Sequence, residues 1–129
     1  MTGPTVLIVE DNHRNLKLAR DVLEFNGFTV AVSTTGEDAI DEAVRTAPDV
    51  ILMDLQLPGI DGHTALARLR ADPRTAGIPV VALTAFAMRE DRVRALEAGF
   101  DGYLEKPISV RDFPEQVRSH LGARRHGGG

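Results

Sequence analysis

Apolar residues follow two rhythms along this chain. At three places they form unbroken runs: Val6-Leu7-Ile8-Val9, Val50-Ile51-Leu52-Met53 and Val80-Val81-Ala82-Leu83, with a shorter echo at Tyr103-Leu104. Runs of this kind read as strands buried on both faces, as in a parallel sheet. Between them, apolar residues recur at three- and four-residue spacing, the mark of helices lying on a sheet. The first strand spans Thr5 to Val9, and Asn12 or His13 begins a helix to about Asn26, stopped by Gly27. On that helix Leu16, Leu18, Ala19, Val22, Leu23 and Phe25 cover one side, and Lys17, Arg20, Asp21 and Glu24 the other.

Phe28 to Ser33 alternates weakly and reads as a second strand. Gly36 to Ala47 is a helix with Ala39, Ile40, Ala43 and Val44 inward, ended by Pro48. A Pro58-Gly59 turn follows the third strand, and a third helix runs from about Gly62 to Arg70. Pro79 opens the fourth strand, a fourth helix covers about Ala87 to Ala98 with Gly99 as its stop, and a short strand lies near Asp101 to Leu104. The last helix has two candidate starts. Ser109 would leave Pro114 one residue too deep, whereas Asp112 gives a capping-box pattern with Glu115 and puts Pro114 in the tolerated first turn. A turn at 108–111 and a helix over about 113–121 are expected. Residues 1–4 read as a flexible lead-in, 5–121 as one domain, and 122–129 as a disordered tail.

Five strands alternating with five helices imply right-handed crossovers and a three-layer, doubly wound α/β fold with a parallel sheet. The flavodoxin-like order 2-1-3-4-5 is expected, with a switch point between the first and third strands. What the apolar runs end on then becomes informative. The first runs into Glu10-Asp11, the third strand into Asp54, the fourth into Thr84, and the fifth through Glu105 into Lys106-Pro107. Ligands bind outside the carboxyl ends of such strands, so three acids, a hydroxyl and an ammonium would converge there. Repulsion among the acids calls for a cation and for Lys106. All-oxygen ligands suit a hard ion such as Mg²⁺, or Mn²⁺, which keeps positions open for a phosphoryl oxygen. Alone, Asp54 reads equally as a metal ligand, a general base or a nucleophile; a nucleophilic carboxylate would form an aspartyl phosphate, with Thr84 and Lys106 suited to hold its oxygens.

Composition narrows the classes. With 129 residues, 43% hydrophobic and 26% charged, the chain suits one domain with a real core. A net charge of −4 argues against nucleic acid as an obligatory partner. The chain has no cysteine, which removes disulfides and thiolate metal sites. No apolar stretch approaches the roughly 18 residues needed to cross a membrane, and the start lacks a signal-peptide pattern, so a cytoplasmic protein is expected. His13, His63, His120 and His126 show no ligand spacing, and Arg124-Arg125-His126 reads as a solvated tail.

The acid pair in Val9-Glu10-Asp11-Asn12, the stretch Met53-Asp54-Leu55-Gln56-Leu57-Pro58-Gly59-Ile60-Asp61-Gly62, Leu83-Thr84-Ala85 and Lys106-Pro107, taken in this order, resemble a response-regulator receiver domain over essentially residues 4–121. The resemblance implies that Asp54 accepts a phosphoryl group from a histidine kinase or histidine phosphotransfer protein. It implies Mg²⁺ on Asp11, Asp54 and the Gln56 backbone carbonyl, with Glu10 acting through water. Thr84 and Lys106 would contact the phosphoryl group, beside a small Ala85, and the Lys106-Pro107 bond would be cis. Tyr103 matches an aromatic that changes rotamer with Thr84, although as an ordinary strand former it has an equally good structural reading. Gln56 and Phe86 lie where the family tunes phosphoryl lifetime, and Pro114 departs from the common pattern of the last helix. Leu18, Val22, Phe86 and Met88 are candidates for a partner-binding face.

The Glu10-Asp11-Asn12-x-x-Asn15 opening resembles both stand-alone, DivK-like regulators and the receivers of hybrid kinases. The start at Met1 and the short tail favour the stand-alone form, which would signal to an unknown protein effector. An aspartate-nucleophile phosphatase would need Asp-x-Asp after the first strand, whereas here the second neighbour of the acceptor is Gln56. A flavodoxin-like cofactor binder would need a phosphate cradle where Glu10-Asp11 stand.

Overall fold

The computed structural model describes residues 3–85 and 88–121. Its elements alternate strictly: β1 (Thr5–Val9), α1 (His13–Phe25), β2 (Thr29–Ser33), α2 (Gly36–Thr46), β3 (Val50–Asp54), α3 (Gly62–Ala71), β4 (Val80–Thr84), α4 (Arg89–Ala98), β5 (Gly102–Glu105) and α5 (Phe113–Arg118). All neighbouring strands pair in parallel, in the order β2-β1-β3-β4-β5. This is the expected three-layer arrangement. Before β1, the carbonyl of Pro4 already accepts from the Thr29 amide at 2.9 Å.

Burial explains the two rhythms. Every residue of the central strands β3 and β4 is buried, because helices cover both faces, so no polar alternation appears. Leu7, Val9, Ile51, Met53, Val80 and Ala82 point to the layer of α2, α3 and α4. Val6, Ile8, Val50, Leu52, Val81 and Leu83 point to the layer of α1 and α5, where Leu23 and Phe113 are fully buried. The edge strand β2 leaves Val30, Ala31 and Val32 half-buried, and this is why its pattern was weak.

Several sequence expectations need correction. The inward stripe of α1 is narrower than half the helix: Ala19, Val22 and Leu23 are buried, but Leu18 is 41% and Phe25 91% exposed. At 100° per residue the latter two lie on the flank of the buried arc. Val22, a candidate for a partner face, instead packs in the core beside Leu23 and Phe113. Helix α4 begins at Arg89, because Met88 is extended (φ −69°, ψ 152°); its expected start, Ala87, lies outside the described residues. Helix α5 ends at Arg118 and has no side-chain cap. Asp112 adopts helical backbone angles, so its carboxylate does not reach the first-turn amides. It pairs with the Ser109 hydroxyl at 3.3 Å instead, and Pro114 occupies the first turn. The lead-in residues 1–2 and the tail 122–129 also fall outside the described residues.

One pH effect follows from the packing after α5. The His120 ring lies against Gly102, where an added Cβ would meet it at 2.2 Å. Burial holds the imidazole below its usual range, with Asp101 pulling the other way. The unfolded chain therefore takes up a proton as pH falls through about 6.5, while the native imidazole does not until lower pH. The stability contributed by His120 is expected to fall away below about pH 6.5 for this reason, whereas Glu10, raised to about 7, acts in the opposite sense. Urea denaturation of wild type and His120→Gln between pH 5.5 and 7.5 isolates the histidine: the stability of wild type relative to the variant should fall as pH is lowered.

Candidate functional site

The carboxyl ends of β1, β3, β4 and β5 meet at one edge of the sheet. Glu10, just beyond β1, is bound in place by its amide, which donates to the Ser33 carbonyl at 3.0 Å, and the residue is 2% exposed. Asp54 closes β3 and is 3% exposed. Leu83 is its register partner, so buried Thr84 stands one step further along β4. The Lys106 amide donates to the Thr84 carbonyl at 2.8 Å, which fixes the chain after β5 to the end of β4. The Lys106-Pro107 bond is cis.

From this frame the Lys106 ammonium reaches Glu10 Oε1 at 2.6 Å and Asp54 Oδ2 at 2.9 Å. Asp54 Oδ1 accepts from the Gln56 amide at 2.9 Å. One carboxylate oxygen each from Glu10, Asp11 and Asp54 lies within 4.8 Å of the others, and Asp11 is exposed while the other two are buried. The β3–α3 loop presses on this cluster. Gly59 has φ +74°, which favours glycine. A Cβ on Gly62 would sit 2.8 Å from the Asp54 carbonyl oxygen and 2.9 Å from Leu55 Cα.

Electrostatics distinguishes the acids. Burial, then the neighbouring Asp54 carboxylate, pushes Glu10 up to about 7 against the pull of Lys106. Burial would also raise Asp54, but hydrogen bonds from Glu10, Lys106 and the Gln56 amide together hold it below its usual range. Burial would lower Lys106, and its two carboxylate partners more than reverse that. Asp54 thus accepts from the Lys106 ammonium and the Gln56 amide, and Glu10 is the acid that burial makes harder to ionise. An all-oxygen set of three acids, one open to solvent, fits a hard divalent cation such as Mg²⁺.

Lys106 is therefore the internal counter-ion of two buried acids. Lys106→Met is expected to lower stability in chelator by about 1–3 kcal/mol, less than for an isolated buried pair because Glu10 and Asp54 can share a proton. Urea denaturation in chelator measures it.

Of the other expected residues, Ala85 is exposed and follows Thr84 directly. Tyr103 is half-buried, with the Arg92 guanidinium 5.6 Å from its ring centre. Met88 is 66% exposed and Phe86 lies outside the described residues. Sequence reasoning did not foresee the grip on Glu10 by Asn15, whose Nδ2 donates to Oε1 at 3.2 Å; the Asn-x-x-Asn spacing at the helix start was its only signal.

Fold and site together define a receiver domain of two-component signalling. The chain belongs to the response regulator receiver domain family, whose model matches residues 6–118. Among named relatives it is similar to the polar-differentiation response regulator DivK of Brucella ovis, with 44% identity over 118 residues covering 92% of this chain and 96% of the relative. DivK of Brucella melitensis matches at the same 44%. A putative response regulator from Chloroflexus aurantiacus superposes with a TM-score of 0.87 at 33% identity, over 95% of this chain and 100% of that one. The receiver domain of a sensor histidine kinase from Pseudomonas aeruginosa, solved with a magnesium ion in its active-site cleft, gives 0.85 at 35% identity, over 94% and 99%. Among the described residues no helix is long and apolar enough to cross a membrane.

Proposed function

We propose that this chain is a phosphorylation switch in which Asp54 accepts a phosphoryl group from a phosphohistidine on a histidine kinase or histidine phosphotransfer protein. The observation that carries this is the buried Asp54 carboxylate, held by Lys106 beside two further acids. An Asp54 oxygen attacks phosphorus, the bond from phosphorus to the histidine nitrogen breaks, and the imidazole leaves. The product is an acyl phosphate on Asp54. Asp11, Asp54 and the Gln56 backbone carbonyl would hold Mg²⁺, with Glu10 acting through water. When bound, the ion neutralises charge on the transferring oxygens.

The phosphoryl group brings roughly −1.5 to −2 charges where one carboxylate stood. Lys106 and the Thr84 hydroxyl follow the added oxygens, and exposed Ala85 leaves room for them. Thr84 moves toward the phosphate, and Tyr103 fills the space it leaves. Because the two states differ in these contacts, their equilibrium shifts. The result is read by a protein effector; there is no turnover substrate. The 44% identity to DivK, itself a response regulator, supports a DivK-like regulator. Exposed Leu18 and Met88 remain candidates for partner contact.

The test is to incubate the protein with acetyl phosphate and Mg²⁺, then follow intact mass and map the adduct. One phosphoryl group on the peptide containing Asp54, absent with chelator, is expected. A phosphoryl group on a histidine side chain, or one formed equally in chelator, overturns the reading.

A further inference from the structure

Glu10 carries an unequal load. Its Oε1 accepts from Lys106 at 2.6 Å and from Asn15 Nδ2 at 3.2 Å, whereas Oε2 has only the long 3.4 Å approach of the Asn12 amide. Two donors occupy the lone pairs of the first oxygen. The second is the one left to accept from a hydrated cation. The carboxylate also borders a cavity of about 40 Å³ shared by Asn15, Leu18, Lys106 and Ile108. Space of that size lets an unrestrained Glu10 turn away from Asp11 and Asp54. Lys106 alone does not prevent this, because its ammonium is a rotatable point charge also bound to Asp54.

Asn15 is fixed independently. It lies in the first turn of α1, and its own amide donates to the capping side chain of Asn12 at 3.0 Å. The helix start therefore holds Asn15, and Asn15 holds Glu10. Asn12 and Asn15 divide two tasks within one turn: the first caps the helix, and the second reaches back past the cap to an acid of the site. We infer that Asn15 is a positioning residue that sets the orientation of Glu10 and through it the affinity of the acidic cluster for Mg²⁺. This rests on the reading of Glu10, Asp11 and Asp54 as the Mg²⁺ site.

The test uses the full chain and three proteins: wild type, Asn15→Ala and Asn12→Ala. Mg²⁺ affinity is measured by isothermal titration, and thermal unfolding is followed in chelator. Removing an outer-shell hydrogen bond weakens metal binding by about tenfold or more. Asn15→Ala should lose roughly tenfold in Mg²⁺ affinity and keep its unfolding temperature in chelator. Asn12→Ala, which removes the cap but keeps the Asn15 side chain and the amide facing Glu10, should lower the unfolding temperature and lose clearly less affinity than Asn15→Ala. Asn15→Asp, the same shape with an acceptor facing Glu10, should not restore binding. If wild type binds Mg²⁺ and Asn15→Ala binds it equally, the inference fails while the site reading stands. Equal affinity losses in both alanine variants, tracking lost stability, reduce Asn15 to a structural role and overturn it. If wild type binds no Mg²⁺, the site reading itself fails.

Discussion

Asp54→Asn should abolish the phosphoryl adduct completely while leaving the metal-free protein as stable as wild type, or more so. The amide keeps the shape of the carboxylate, and its one oxygen can accept from either the Gln56 amide or Lys106, whose ammonium keeps Glu10 as its other partner. It has no anionic oxygen to attack phosphorus. The change also relieves the site: Asp54 is one of the causes that push Glu10 up to about 7, so Glu10 can ionise opposite Lys106 once the carboxylate is gone. One buried ion pair, 2.6 Å long, then replaces a crowded trio. Intact mass after acetyl phosphate treatment checks the first claim and urea denaturation in chelator checks the second. A persistent adduct places the acceptor elsewhere. A large loss of stability means that the Asp54 carboxylate is a net structural asset of the apo fold, and that the repulsion argument is wrong. Mg²⁺ affinity should fall as well, since a charged ligand is lost.

The parts of this site that could be read from sequence share one property. Asp54, Glu10 and Thr84 follow an apolar run directly, Asp11 and Lys106 one residue later, and a parallel sheet brings the carboxyl ends of its strands to one edge whatever the helices do. What the sequence obscured depends on side-chain direction. Whether Leu18 and Phe25 lie inside the stripe of α1 or on its flank is decided by the width of the groove they face. Two of six apolar positions there proved exposed. Asp112 looked like a helix cap, but its backbone angles direct the carboxylate to the Ser109 hydroxyl. Such outcomes turn on single φ/ψ choices that no periodicity encodes. Long-range polar pairs are less visible still. In the sequence Arg70 closes a helix and Asp101 opens a short strand, and nothing marks them as partners across the 31 positions that separate them.

That pair carries the other large expected effect. Asp101→Ala should cost about 2–4 kcal/mol, a large share of the roughly 5–15 kcal/mol that holds a domain of this size together. The acceptors of the Arg70 guanidinium include the carbonyls of Ala76 (3.2 Å), Ile78 (2.8 Å) and Gly99 (3.2 Å), and Asp101 Oδ2 at 2.6 Å. The same Oδ2 accepts from the Val80 amide at 2.9 Å. The clamp thereby ties the end of α3 and the loop after it to the starts of β4 and β5. The ion pair is mostly buried, at 19% and 16% side-chain exposure, so solvent screens it little. Removing the aspartate leaves a half-buried cation and an orphaned strand amide, and each is costly. Arg70→Met should lose less, because the Val80 amide keeps its acceptor and the apolar stem is retained. Combining Asp101→Ala with Arg70→Met should be milder than the sum of the two, since the stranded cation is gone. Urea midpoints at unchanged m-value measure all three. Strict additivity would show that the two side chains act separately, and the clamp would then be two unrelated sets of hydrogen bonds.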